Sequence, residues 1–151
     1  MAADRDALPP NAQTLAEWLA MAEDCLATAH KANSAGLRDV AYDKFGYAVE
    51  AYCKAVIMQV RGYDRWPTRD EAAECYTHSI PGLLKAAGLF QRLGEDRGSN
   101  RGLRASWLMV KDWQPYRYRT DKPSQKLMMD FEKAVTHERD GILAWLRNCL
   151  S

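Results

Sequence analysis

No run of about 18 apolar residues, the length a membrane-spanning helix needs, occurs anywhere in the chain. Its most apolar short stretch, Ala55 to Val60, is already interrupted by Gln59. The opening residues MAADRDALPPNAQ carry no apolar core of a secretory leader, so no membrane association and a cytoplasmic location are expected. Cysteine is sparse: Cys25, Cys53, Cys75 and Cys149 stand far apart, with no Cys-x-x-Cys and no histidine at zinc-ligand spacing. That spacing argues against a metal site and leaves reduced core thiols as the reading. The Gly-containing stretch 94–102 lacks the Gly-Lys-Ser/Thr of a phosphate loop, and no strand precedes it. Acidic residues form no paired arrangement suited to metal or glycosidic chemistry, and no cofactor is implied. Strand-type alternation and internal repeats are absent as well.

What the chain does have is the balance of one globular domain: 151 residues, 47% hydrophobic and 27% charged. Residues 1–13 read as a loose arm and 14–151 as a single helical domain. Thr14-Leu15-Ala16-Glu17 fits a capping box, followed by Leu15, Trp18, Leu19, Ala22, Leu26 and Ala29 at helical spacing. Gly36 is a natural stop. A second helix is predicted from Arg38 to Arg61, its apolar side including Val40, Phe45, Val49, Tyr52, Val56 and Val60, with Gly62 ending it. The segment from Tyr63 to Ser79 is irregular, since Trp66 precedes a proline. Thr68 with Glu71 suits a short capped turn. Ser79 caps a third helix with Pro81 in its first turn, and Gly88 closes it. Residues 94–102, with three glycines, read as a mobile loop. A helix with Leu103, Trp107, Leu108 and Trp113 follows, up to Pro115. One long last helix is expected from Ser124, with Leu127, Phe131, Ala134, Val135, Glu138, Ile142, Trp145 and Cys149 inward. The fold class is therefore all-α, an antiparallel bundle of four to five helices.

The net charge of +1 conceals a segregated pattern. Residues 1–91 carry −3, residues 92–126 carry +5 and residues 127–151 carry −1. The basic stretch interleaves Arg101, Arg104, Lys111 and Arg117 with Trp107, Trp113, Tyr116 and Tyr118, a composition able to attract phosphates and stack bases. A solvated bundle surface has the same composition.

Three segments, in order, resemble the HEPN superfamily of small helical bundles. FGYAVEAYCKAVIMQVRG (45–62) is similar to the family's second helix, with its Lys-Ala step at Lys54-Ala55. YTHSIPGLLKAAGL (76–89) is similar to the family's Thr-His, Leu-Leu pair and Ala-Gly end. WLMVKDWQPYRY (107–118) resembles a late helix ending in an Arg-Tyr pair, here Arg117-Tyr118. The resemblance implies a homodimer and partners among nucleotidyltransferases of toxin–antitoxin pairs or phage-defence proteins. It also implies either nucleotide or protein binding, or metal-independent RNA cleavage by an Arg-x(4–6)-His motif.

That motif is testable residue by residue, because His30, His78 and His137 are the only histidines. The required arginine falls on Glu71, Ala72 or Ala73 before His78, on Asp130, Phe131 or Glu132 before His137, and on Glu23, Asp24 or Cys25 before His30. Arg101 is followed at motif spacing by Ser106, Trp107 and Leu108. The standard motif is missing. A bend of the irregular segment that brings Arg65 or Arg69 to His78 is the remaining route, with His moving a proton and Arg stabilising phosphorane charge.

Lys54, one turn after Glu50, reads first as an i, i+4 ion pair and, through the resemblance, as a phosphate contact. Arg117 suits the carbonyls of a helix end. His30 and His137 read as surface or packing histidines, and Glu138 on the inner stripe calls for an arginine partner such as Arg117 or Arg38. The leading expectation is a nucleotide- or nucleic-acid-binding module with phosphate contacts from Lys54, His78, Arg101, Arg104, Lys111, Arg117 and Tyr118. The alternatives are a ribonuclease built on His78 and Arg69, and a structural subunit of a larger complex.

Overall fold

The computed structural model describes residues 11–115 and 120–150. These are all-helical: α1 (Leu15–Ser34), α2 (Arg38–Arg61), a 3-10 turn at Ala73–Cys75, α3 (Ile80–Ala86), α4 (Phe90–Gly98), α5 (Arg101–Val110), α6 (Gln125–Thr136) and α7 (Ile142–Cys149). No strand occurs among the described residues.

The first hairpin forms as its local chemistry dictates. Thr14 accepts from the Glu17 amide at 3.1 Å and the Glu17 carboxylate accepts from the Thr14 amide at 3.0 Å, closing the capping box. Those bonds, led by the Thr14 side chain, hold the Glu17 carboxyl below its ordinary range. Gly62, at φ +68°, ends α2 in the left-handed region that glycine enters without a Cβ clash. The α2 helix is buried on nearly all sides from Ala41 to Met58. It packs most heavily on α1 and also touches α3, α6 and α7, which makes it the spine of the molecule. The chain is already docked at Ala12, which is buried, and the Gln13 carbonyl accepts from the Trp66 amide.

Several expectations are corrected. The stretch 94–102 is not a loop: α4 runs through Gly94 to Gly98. It is held by buried Leu93, by the Arg92–Asp96 pair at 3.7 Å and by the Trp145 indole donating to Asp96 at 2.8 Å. The long last helix is two helices. His137 leaves the helical region, and its Nδ1 accepts from the amides of Arg139 and Asp140. Gly141 closes against the His137 backbone, where a Cβ would lie 2.6 Å from the carbonyl oxygen. The break turns Glu138 out to solvent, so it needs no buried arginine, and Arg38 instead donates to the Pro123 carbonyl at 2.6 Å. Val40, Val60, Leu108 and Leu127, expected inward, are exposed, and Met128 takes the buried place beside Leu127.

Candidate functional site

The centre of the candidate site is Glu50, only 5% exposed and the one charged residue among the buried residues of α2. One carboxylate oxygen serves two partners: His78 Nδ1 at 2.8 Å and Lys54 Nζ at 3.6 Å. The i, i+4 pair expected from the sequence is present, but it is sunk into the protein and shared with a residue 28 positions away. His78 arrives there because Trp66-Pro67 forces an extended path and the capped turn at 68–71 redirects the chain. Thr68 and Glu71 exchange reciprocal bonds at 3.0 and 3.3 Å. Ser79 then begins α3 by accepting from the Gly82 amide.

With Nδ1 facing a carboxylate, the neutral imidazole carries its proton on Nδ1 and its lone pair on Nε2. The side chain is 50% exposed, so the ring is oriented from below and open above. Tyr47 stacks edge-on against the ring at 5.8 Å and against Trp113 at 5.2 Å. Trp113 is anchored in turn by donating to the Tyr42 carbonyl and by lying on Gly46, where any Cβ would collide with the indole.

Lys54 is enclosed by aromatic faces. Its Nζ lies 4.7 Å from the Trp18 ring centre and 5.6 Å from that of Trp66, and the two indoles meet edge to face at 5.2 Å. Such cation–π contacts strengthen as the cation is desolvated. The Trp18 Nε1–H is buried with no acceptor among the described residues. Trp66 leads on to Tyr76 at 6.4 Å, and the Arg69 guanidinium covers the Tyr76 ring at 5.3 Å. An edge thus runs from Arg69 through Tyr76, Trp66 and Lys54 to Glu50 and His78. Arg65 belongs elsewhere, committed to Glu71 and the Trp66 carbonyl.

Of the other expected phosphate contacts, the described ones, Arg101, Arg104 and Lys111, have no contact with Glu50, Lys54 or His78. Arg101 and Arg104 are exposed on α5, which packs on α4, α6 and α7. Lys111 pairs with Asp112 at 2.7 Å. Arg117 and Tyr118 lie outside the described residues. Of the remaining histidines, His30 pairs with Glu132 at 2.9 Å and stacks on Phe45, and His137 caps its own turn. No group of three or more potential metal ligands occurs among the described residues, and none of their helices is long and apolar enough to cross a membrane.

The aromatic walls were the part sequence reasoning missed. Trp18 and Trp66 look like ordinary core residues, and only the fold shows that both face the same lysine. One signal was available: Glu50 interrupts the buried side of a helix, and a buried carboxylate must find partners. Searches with protein-family models, curated proteins and solved structures find no match to this chain.

Proposed function

We propose that the chain is a HEPN-like, nucleotide- or RNA-binding module whose Lys54–His78 edge receives a phosphate. The observation that carries this reading is the shared carboxylate. Glu50 fixes a cation and an imidazole in place, and beyond the buried Trp66 the exposed Tyr76 ring and the Arg69 guanidinium over it extend the edge. Preoriented donors beside π-faces are what a phosphodiester with a neighbouring base requires. The resemblance of residues 45–62 and 76–89 to the HEPN pattern supports the reading, because both segments contribute to this edge. The exposed α5 arginines serve as an outlying electrostatic attraction. On the same reading the chain acts in a toxin–antitoxin or defence setting beside a partner protein. Titration of indole fluorescence with mononucleotides and short RNA, repeated at several salt concentrations, tests it. Affinity should fall steeply with salt and drop at least tenfold in His78→Ala and Lys54→Ala. No binding at low salt overturns it.

The Glu50–His78 pair favours a second reading, metal-independent RNA cleavage. His78 Nε2 takes the 2′-hydroxyl proton as that oxygen attacks phosphorus, and Arg69 stabilises the charge that develops. The protonated His78 then returns that proton to the departing 5′-oxygen, so that the P–O5′ bond breaks and a 2′,3′-cyclic phosphate and a 5′-hydroxyl remain. An RNA-cleavage rate unchanged in His78→Ala excludes this reading.

A further inference from the structure

The Lys54–His78 edge holds less positive charge than its residue types suggest. Glu50 Oε1 is 3.6 Å from Lys54 Nζ and 2.8 Å from His78 Nδ1, so its carboxylate already offsets the lysine. A neutral imidazole with its proton on Nδ1 adds no charge, and on its open side it presents the Nε2 lone pair. A phosphate oxygen is also an acceptor, and the two repel. Lys54 does little to relieve this, because its side chain is only 16% exposed and lies against the faces of Trp18 and Trp66.

The neighbouring elements do not make up the deficit. From α2, Tyr47 meets the His78 ring, with Lys44 5.9 Å from the Tyr47 ring centre. From α1 comes Cys25, close enough to feel both Glu50 and Lys44, and neutral because burial raises its thiol. The 3-10 turn brings Glu74, paired with Arg61 at 2.7 Å, and the buried Cys75. Arg69 lies over Tyr76. The helix that follows His78 opens with the uncharged Ser79-Ile80-Pro81-Gly82, and its Lys85 sits over Phe90 at 4.9 Å.

We infer, on the phosphate-binding reading of this same edge, that the anion is bound together with one proton. The proton comes from solvent and adds to His78 Nε2, which changes from acceptor to donor. The ring then bears a single positive charge. Its Nδ1–H stays on Glu50 as a charge-assisted hydrogen bond, and its Nε2–H meets a phosphate oxygen. Glu50 therefore does more than orient the ring: its charge stabilises the imidazolium that binding requires. A phosphodiester, singly negative, is matched by that one charge.

Isothermal titration calorimetry of the full chain with a dinucleoside monophosphate of adenosine tests this. Neither the diester nor the adenines of that probe titrate near neutrality, so any proton exchanged belongs to the protein. At about pH 8, the upper end of the range in which histidine ordinarily changes charge, two buffers of different ionisation enthalpy should report uptake of close to one proton. Affinity should rise by up to about tenfold for each pH unit lowered while the free ring is neutral. His78→Gln should bind more weakly and take up none, and Glu50→Gln should take up less than wild type. Nitrogen NMR of the wild-type His78 ring should show two protonated nitrogens in the complex and one in the free chain at the same pH. A complex that forms without proton uptake, its ring still neutral, overturns the inference and leaves phosphate binding standing. Uptake that persists in His78→Gln overturns it too, since the proton then resides elsewhere. No binding at low salt at either about pH 6 or about pH 8 removes the phosphate-binding reading, and the coupled proton with it.

Discussion

At Glu50 one buried oxygen positions both His78 and Lys54, so substitutions there separate positioning from charge. Glu50→Gln keeps the shape and an acceptor but removes the charge. It is expected to cost about 1–3 kcal/mol, the range for disturbing a buried hydrogen bond to a charged group, and urea denaturation reads it directly. The same variant should reduce ligand affinity less than His78→Ala, because the imidazole survives. Equal losses would show that Glu50 itself contacts the ligand. Gly46 poses a different residue-scale problem. Its missing side chain is the seat of the Trp113 indole, which supports Tyr47 and through it His78. Gly46→Ala should displace the indole and cost about 1–3 kcal/mol or more, as overpacking of a tight core does. Loss of a distinct near-ultraviolet Trp signal beside an intact helical spectrum would mark the displacement. A stable Gly46→Ala with unchanged Trp signals would show that the seat is softer than its geometry.

Among the elements, the capped ones were legible in the sequence and the spliced ones were not. Thr14, Ser79, Gly36, Gly62 and Gly88 act locally, so α1 and α3 begin at their caps, and α1, α2 and α3 end within two residues of a left-handed glycine. The helix through Gly94 and Gly98 was hidden because its stabilisation is tertiary: buried Leu93 and the Trp145–Asp96 bond outweigh two glycines of poor helix propensity. The split of the last helix was hidden for a related reason. Nothing near His137 is a proline, and the break depends on an imidazole capping two amides against a close-packed glycine. At the candidate site, the Lys54–Glu50 spacing was readable, whereas the meeting with His78 crosses an irregular segment whose path no spacing rule supplies. The capped turn in that segment makes a pH-dependent prediction. Bonds from Thr68, first its amide and then its hydroxyl, together with Arg65, hold the Glu71 carboxyl below its ordinary value of 4.5. A lowered value in the folded state gives stability that is present above pH 4.5 and lost as pH falls through the folded-state value. The gap in urea midpoint between wild type and Glu71→Ala should therefore be wider at pH 7 than at pH 3. A gap independent of pH would mean that the carboxylate does not hold the turn.

For the molecule as a whole, the question is whether the edge that carries His78 opens with the spine or apart from it. The 63–79 segment is fastened to the rest of the chain by Trp66, whose amide donates to Gln13 and whose ring meets Trp18, by Glu74 paired with Arg61 and by the fully buried Cys75, while the Tyr76 hydroxyl on the Pro67 carbonyl closes the segment on itself. Cys53 reports on the spine, since it is buried in the middle of α2. Burial raises all four thiols above their ordinary range, Cys53 most of all, so each is a neutral, slow nucleophile at neutral pH. Half-buried Cys25 and Cys149 should label slowly in native buffer, while Cys53 and Cys75 wait for an opening event. If segment and spine form one cooperative unit, both buried thiols become reactive with the same urea dependence as the helical signal, a pattern that mass spectrometry of pulse-labelled peptides resolves. Labelling of Cys75 at low urea, ahead of Cys53, would instead show that the segment detaches on its own. His78 would then lose its carboxylate without global unfolding, and ligand binding at the Lys54–His78 edge would have to include the cost of closing that segment.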